Sequence, residues 1–298
     1  MKIHRPSTPL LTGLYVPGDR PDRFDKAVAT GAQLIILDLE DAVAADRKSV
    51  ARSAVGEWLT AQAAASGGSG LAGGPVIQVR VNAGEPLDLA LLAGIDGTFE
   101  VRVPKAEDGS SIDAIASAVP GRPITAIVET ALGVENAAAI ALHPAVTRLG
   151  IGEADLSSDL GTNAPAAIDY ARVRLLFAAR AAGLPAPMLS VFPDIRNLDA
   201  LRADTQRGRE LGWVGRVAIH PSQLSVIAEV FQPRPEEQEW ARNVLAATAG
   251  GGVTTLASGE MVDAAMVKRA RAILELAGIP DSENRTGDAD EALGRGHS

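Results

Sequence analysis

At 298 residues the chain can serve one large core, and an α/β barrel is a common single-domain solution at that length. Hydrophobic residues make up 46% of the chain and aromatic residues only 3%, so aliphatic side chains must fill the interior, and the lack of cysteine removes disulfides, thiolate nucleophiles and cysteine zinc sites. The formal net charge of -9 argues against a general phosphate-backbone binder, and no apolar run suits a signal peptide or a membrane span, so a soluble cytoplasmic protein with no nucleic-acid or membrane partner is expected.

Short apolar, β-branched runs alternate with amphipathic stretches, the pattern of strands joined by helical crossovers. The first strand is expected over 10–16. A helix follows in which Phe24, Ala27, Val28 and Gly31 fall at helical spacing, with Pro21 in its first turn and Gly31 at its stop. The second strand, 33–39, leads into a helix over 45–65 and a glycine-rich loop over 66–74, to which no chemistry is assigned. Strands over 76–81, 99–103, 124–128 and 148–151 are followed by helices over 87–92, 111–118, 134–142 and 169–182. Strands over 188–191 and 216–219, with helices over 198–212 and 223–230, complete eight units. That count predicts a (β/α)8 TIM barrel spanning 1–232. An open doubly wound sheet is the alternative, but no Gly-x-Gly-x-x-Gly joins its first strand to its first helix as a dinucleotide site requires. Residues 233–280 form a C-terminal helical extension with helices over 236–247 and 264–277. Their apolar faces, including Trp240, Val244 and Leu245 and then Val267, Ile273 and Leu274, are expected to need a neighbouring surface. The polar tail 281–298 is expected to be disordered.

Polar residues close nearly every expected strand, and in a barrel those ends ring one mouth. The second strand ends in Asp38, Glu40 and Asp41, the third in Arg80 and Asn82, the fourth in Lys105 and the fifth in Glu129; Glu153 and Asp155 follow the sixth, and His220 ends the eighth. One of the three acids at 38–41 is expected to cap the next helix. Arg80 or Lys105 taken alone reads as an exposed strand-end charge. Glu129 directly after Ala126-Ile127-Val128 points to function, because an acid closing an apolar strand is costly unless it is paired or bound to a cation. Asp155 and Asp159, in a glycine-flanked segment, read equally as turn formers. His220 before Pro221 reads as a packed or hydrogen-bonded histidine, and His4, His143 and His297 look incidental. Two carboxylates without a second histidine suit a hard cation, Mg2+ with Mn2+ as a substitute, and a cation beside Arg80 would stabilise negative charge on an oxyacid or enolate.

Eight segments in order resemble the successive signatures of the citrate lyase beta subunit-like family. They begin with Leu14-Tyr15-Val16-Pro17-Gly18-Asp19-Arg20, Leu37-Asp38-Leu39-Glu40-Asp41-Ala42-Val43, Val79-Arg80-Val81-Asn82 and Val103-Pro104-Lys105. They continue with Val128-Glu129-Thr130, Gly152-Glu153-Ala154-Asp155-Leu156, Ala218-Ile219-His220-Pro221 and Gly259-Glu260-Met261-Val262-Asp263. The family contains citrate lyase beta subunits, malyl-CoA and citramalyl-CoA lyases, and malyl-CoA thioesterases. The resemblance implies that Glu129 and Asp155 bind Mg2+, which chelates an oxoacid, and that Arg80 holds the thioester oxygen as it becomes an enolate. It further implies that Glu40 orients Arg80 or a metal-bound water, that Lys105 lines the same mouth, and that Asp263 arrives from a neighbouring subunit of a homotrimer, or a multiple of one, to move a proton at the acetyl carbon. From the residues alone, Asp263 reads as the N-cap of the last helix. Ser190-Val191-Phe192-Pro193-Asp194-Ile195 replaces the family's usual segment after the seventh strand. The expected reaction is cleavage of a hydroxyacyl-CoA or acyl-carrier thioester to an acetyl thioester and an oxoacid. Thioester hydrolysis, or work only alongside a carrier protein and a transferase subunit, are the alternatives.

Overall fold

The computed structural model describes residues 10–67, 74–248, 254–256 and 259–279; most of the glycine-rich loop and the whole tail lie outside them. The chain divides into two compact units between Phe231 and Gln232.

The first unit is built on a seven-stranded, wholly parallel sheet: β1 (Thr12–Pro17), β2 (Leu34–Asp38), β3 (Val76–Arg80), β4 (Glu100–Val103), β5 (Ile124–Val128), β6 (Val146–Ile151) and β7 (Arg216–Ala218). Its order is β6-β5-β4-β3-β2-β1-β7, so each of the first six strands pairs with its sequence neighbour through a helical crossover. Every residue of β2, β5 and β6 is buried, as expected of parallel strands covered on both faces. The register places Asp38 beside Arg80 and Arg80 beside Arg102, which stacks charged side chains across three adjacent strands. The sheet is strongly curled: Tyr15 on β1 reaches over β2 to contact side chains on β3 and β4.

The strand expected over 188–191 does not form a ladder. Met188 and Leu189 each make a single parallel bridge, to Gly150 on β6 and to Arg216 on β7, and so lie between the two edge strands of the sheet. Pro187 and Pro193 flank the segment and lack amide donors. The Arg216 Nε donates to the Ser190 carbonyl at 2.9 Å, drawing that acceptor away from strand pairing. Seven strands with a bridging pair therefore replace the expected eight.

The helices covering the sheet are α1 (Phe24–Val28), α2 (Lys48–Ser66), α3 (Pro86–Ala93), α4 (Gly109–Ala118), α5 (Ala131–Glu135), α6 (Ala137–Leu142), α7 (Glu153–Leu160), α8 (Pro165–Ala181), α9 (Leu198–Glu210) and α10 (Leu224–Phe231). The sequence reading misses α7, where it leaves turn formation open for Asp155 and Asp159. Gly161 at φ +66° ends that helix, so the flanking glycine is a C-cap rather than a loop signal.

In the second unit α11 (Pro235–Thr248) and α12 (Ala264–Leu276) accompany a two-residue hairpin, β8 (Thr254–Thr255) and β9 (Met261–Val262). Ala241, Val244, Ala270 and Leu274 are buried together, with Trp240, Leu245, Val267 and Ile273 packed against them. The apolar faces expected to need a neighbouring surface thus meet each other. Among the described residues no helix is long and apolar enough to cross a membrane.

Candidate active site

The C-terminal ends of β2, β3, β5 and β6 carry the charged groups singled out in the sequence. Arg80 closes β3, and its Nε and Nη2 grip the two oxygens of Asp38 at 2.7 and 2.6 Å. This is a bidentate, charge-assisted pair. The same Asp38 carboxylate accepts from the amides of Glu40 and Ala42 at 2.9 and 3.1 Å, so it both caps the following loop and holds Arg80. Nη1 reaches Asp41 Oδ2 at 3.1 Å and lies 2.9 Å from Glu40 Oε2. That oxygen has no aligned hydrogen bond, so its attraction to Arg80 is electrostatic. Burial works against the Arg80 charge, yet the hydrogen bonds it donates to Asp38 and the fields of Tyr15, Asp38 and Glu40 raise its pKa above the usual value. Burial pushes the Glu40 carboxyl up to about 7, with Arg80 opposing and Asp41, Glu129 and Asp38 adding to the rise.

The loop after β2 is itself pinned. Lys48 Nζ donates to the carbonyls of Leu39 and Glu40 and to Asn82 Oδ1, all at 2.7 Å. Fully buried Asp88 accepts from the Asn82 amide at 2.8 Å and from Arg52 at 3.1 Å. A lysine spent on carbonyls and an acid spent on an amide are scaffold, and they fix where Glu40 and Arg80 sit.

Glu129 follows β5 and is 3% exposed. Its Oε1 accepts from the Lys105 amide at 2.8 Å. Lys105 is the one non-glycine residue among those described with positive φ, +51°, a conformation that costs roughly 1–3 kcal/mol and persists only where its surroundings enforce it. That strained backbone aims the N–H at Glu129, while the Lys105 side chain is exposed; the residue meets the site through its main chain. Burial, then repulsion from Asp155, drives Glu129 up to about 7 against the Lys105 hydrogen bond. Gly152 lies so close that a Cβ there would stand 2.2 Å from Glu129 Oε2. Asp155 is exposed in the first turn of α7, close enough to act on Glu129 through space. Its neighbour Glu153 is committed elsewhere, held by Arg172 at 2.8 and 2.9 Å.

Glu129 and Asp155 could together hold a cation. Among the described residues neither forms an ion pair, and no preformed group of three or more acids or histidines is found. The protein therefore offers two carboxylates, a hard all-oxygen set that leaves coordination positions for other oxygens, which fits Mg2+. A buried carboxylate with a second carboxylate pressing on it is what a divalent cation would relieve.

The remaining candidates separate. His220 is exposed, and its Nδ1 engages Ser222 Oγ at 2.8 Å and the Ser222 amide at 3.2 Å; it is a local cap, as its hydrogen-bonded reading expected. Asp263 belongs to the second unit, where its carboxylate accepts from the Met266 amide at 2.8 Å as the N-cap of α12. Sequence reasoning missed Asp38 as the principal partner of Arg80, and also Tyr15, whose ring centroid is 4.9 Å from the Arg80 guanidinium. Asp38 carries the same signal that marked Glu129, an acid closing a four-residue apolar run.

The chain is similar to known proteins over most of its length. Residues 11–221 match the model of the HpcH/HpaI aldolase/citrate lyase family. A (3S)-malyl-CoA thioesterase of Cereibacter sphaeroides is 36% identical over 247 residues, covering 80% of this chain and 83% of that protein. A citrate lyase subunit beta-like protein of Mycobacterium tuberculosis is 34% identical, covering 91% and 96%. Among solved structures, the CitE protein of M. tuberculosis in complex with magnesium, acetoacetate and coenzyme A superposes with a TM-score of 0.74 at 33% identity, covering 92% of this chain and 100% of that one. The citrate lyase beta subunit of the same organism, with oxaloacetate and magnesium, gives 0.64 at 32% identity, covering 76% and 98%. With more than half of its length matched by the family model and with relatives of this identity and coverage, the chain belongs to the HpcH/HpaI aldolase/citrate lyase family.

Proposed function

We propose that the protein is a Mg2+-dependent carbon–carbon lyase for a short 3-hydroxyacyl thioester of the malyl-CoA, citramalyl-CoA or citryl type, giving an acetyl thioester and an oxoacid. The observation that carries this reading is the pairing, at the C-terminal end of the sheet, of a clamped Arg80 with an under-compensated Glu129–Asp155 pair. The magnesium and coenzyme A bound by the CitE relative support it. The reading takes the curled sheet as a closed (β/α)8 barrel acting in the cytoplasm, with residues 233–280 completing the site of a neighbouring copy in a homotrimer or a multiple of one.

Glu129 and Asp155 would hold Mg2+, which when bound supplies positive charge for the carboxylate and adjacent oxygen of the oxoacid half. As the hydroxyl gives its proton to a carboxylate of the site and its oxygen becomes the carbonyl of the oxoacid, the bond to the carbon next to the thioester breaks and its electron pair becomes an enolate. Charge stabilisation there dominates the barrier. Arg80 supplies it: the bond to exposed Asp41 is the one most easily exchanged for a thioester oxygen, while Asp38 keeps the guanidinium in place. Glu40 orients Arg80, the Lys105 amide fixes Glu129, and Asp263 of a neighbouring copy protonates the acetyl carbon.

A second reading, thioester hydrolysis, is favoured by the 36% identity to (3S)-malyl-CoA thioesterases. Incubation of purified protein and Mg2+ with a panel of hydroxyacyl-CoA esters, read by mass spectrometry, separates the two. Acetyl-CoA with an oxoacid is expected; free CoA with a hydroxyacid makes the protein a thioesterase. Turnover confined to a carrier-bound ester makes it a subunit of a larger assembly.

A further inference from the structure

Arg80 meets acids around its edges, Asp38 at Nε and Nη2 and Asp41 and Glu40 at Nη1, and one neutral group. Its edge is clamped by Asp38. Its guanidinium carbon lies over the Tyr15 ring on β1, 4.9 Å from the centroid. Arg102, the cross-strand neighbour of Arg80 on β4, approaches the same ring at 5.4 Å and donates from Nε to the Tyr15 hydroxyl at 2.9 Å. Tyr15 is thus gripped between two arginines from different strands, one over the ring and one at its hydroxyl.

The setting of Arg102 is unusual for a purely structural cation. It is 2% exposed, and its hydrogen-bond acceptors, the Tyr15 hydroxyl and Gln78 Oε1 at 3.1 Å, are both neutral. Counter-charge comes at one remove, because Gln78 donates in turn to Glu100 Oε2 at 2.7 Å. Gly150 leaves the room needed, since a Cβ there would lie 3.3 Å from Arg102 Nη2. Burying a cation against neutral acceptors is unfavourable compared with an apolar side chain of similar volume, so stability alone does not account for it.

A carboxylate fork fixes the Nε and Nη2 edge of a guanidinium but leaves its plane free to tilt about that edge. An aromatic face against the flat side removes the tilt. The ring can do so only if it is itself fixed, and its far end is fixed by Arg102. We propose that Tyr15 and Arg102 are positioning residues for Arg80, Tyr15 setting the plane of the guanidinium and Arg102 locking Tyr15. This rests on the role of Arg80 proposed above.

The test is a pair of double-mutant cycles on the full-length protein with the best hydroxyacyl-CoA ester. Tyr15→Phe and Arg102→Met remove the same hydrogen bond, so each lowers kcat by roughly 5-fold and the double variant is no worse than either single one. Tyr15→Leu removes the ring and lowers kcat by about 10²-fold, as expected for a misplaced catalytic group, yet adds little in an Arg80→Lys background. Mg2+ affinity stays at the wild-type value throughout, which a general loss of structure would not allow. Additive effects in both cycles, or falling Mg2+ affinity alongside kcat, overturn the proposal. If the wild type turns over no ester, the reaction reading fails, and the same cycles are read as acetyl-CoA affinity by calorimetry. Non-additivity there upholds the positioning role, whereas additivity, or no binding by the wild type, removes it.

Discussion

Arg80, its side chain 14% exposed, and Glu129, 3% exposed, are ionisable groups at strand ends, but their surroundings are opposite. Arg80 is surrounded by Asp38, Glu40 and Asp41 within salt-bridge range, while Glu129 has one backbone amide and the repulsion of Asp155. The first corner compensates its guanidinium within the chain, although burial lifts Glu40 there to about 7 as well; the second leaves Glu129 without a cation of its own, and burial, then Asp155, raise its carboxyl to about 7. The contrast divides the labour of the proposed reaction. A completed corner keeps a guanidinium rigid and charged, and an incomplete one is a receptor for a cation.

Neutralising the receptor should have the largest effect. Glu129→Gln and Asp155→Asn replace an anionic oxygen by an amide of the same shape, and each should reduce Mg2+-dependent turnover to background with the melting temperature retained. Activity within a few-fold of wild type in either variant would break the division between the corners. Next comes Arg80→Lys, which keeps the charge and loses the fork. Turnover should fall roughly 10²- to 10³-fold, the usual cost of losing an oxyanion donor, with Mg2+ affinity little changed; unchanged kcat would remove Arg80 from the chemistry.

Gly152→Ala sharpens the comparison from a residue with no chemistry of its own. The added methyl would meet Glu129 Oε2, so the carboxylate must move, and Mg2+ affinity should weaken about 10- to 100-fold, as when support of a ligand is lost. Wild-type affinity in that variant would show that Glu129 has room to spare.

The smallest effect is in stability against pH. Glu129 titrates near 7 in the fold, against 4.5 as the ordinary value. Below about 4.5 the carboxyl is protonated in both folded and unfolded chains. As pH rises toward 7 only the unfolded chain ionises, so stability falls across that window and levels off above it. Without Mg2+, the melting temperature of wild type relative to Glu129→Gln should therefore decline between pH 4.5 and 7, and Mg2+ should offset the decline at its upper end. A wild type that gains on the variant over that window would contradict the raised pKa.

Much of this was legible in the sequence, for physical reasons that also mark its limits. Glu129 and Asp38 announce themselves because an acid ending a buried apolar run needs a partner. Which of Asp38, Glu40 and Asp41 grips Arg80 depends on the β2–β3 register, and a run of apolar residues leaves register unspecified. Tyr15 and Arg102 were invisible because they sit inside strand sequences, where an aromatic or a charge reads as packing or edge; their meeting requires the sheet to curl over β2. The segment 188–191 has strand composition, but its prolines and the capture of the Ser190 carbonyl by Arg216 are tertiary matters. Asp263 was legible both as an N-cap and, through the family resemblance, as a proton carrier. The cap is observed, and a carboxylate oxygen can accept from an amide without losing its capacity to exchange a proton.

That second role has its own check. Inactive Asp263→Asn protein mixed with inactive Glu129→Gln protein, under conditions of verified subunit exchange, should regain activity if the aspartate acts in trans. A mixture that stays inactive would place Asp263 in its own subunit's site or outside catalysis.

The most direct test of the account is calorimetric titration of Mg2+ into wild type, Glu129→Gln and Asp155→Asn at pH 8 with saturating pyruvate. One site per chain is expected in the wild type and none in either variant; wild-type affinity in both variants would contradict the claim that the incomplete corner is the cation receptor.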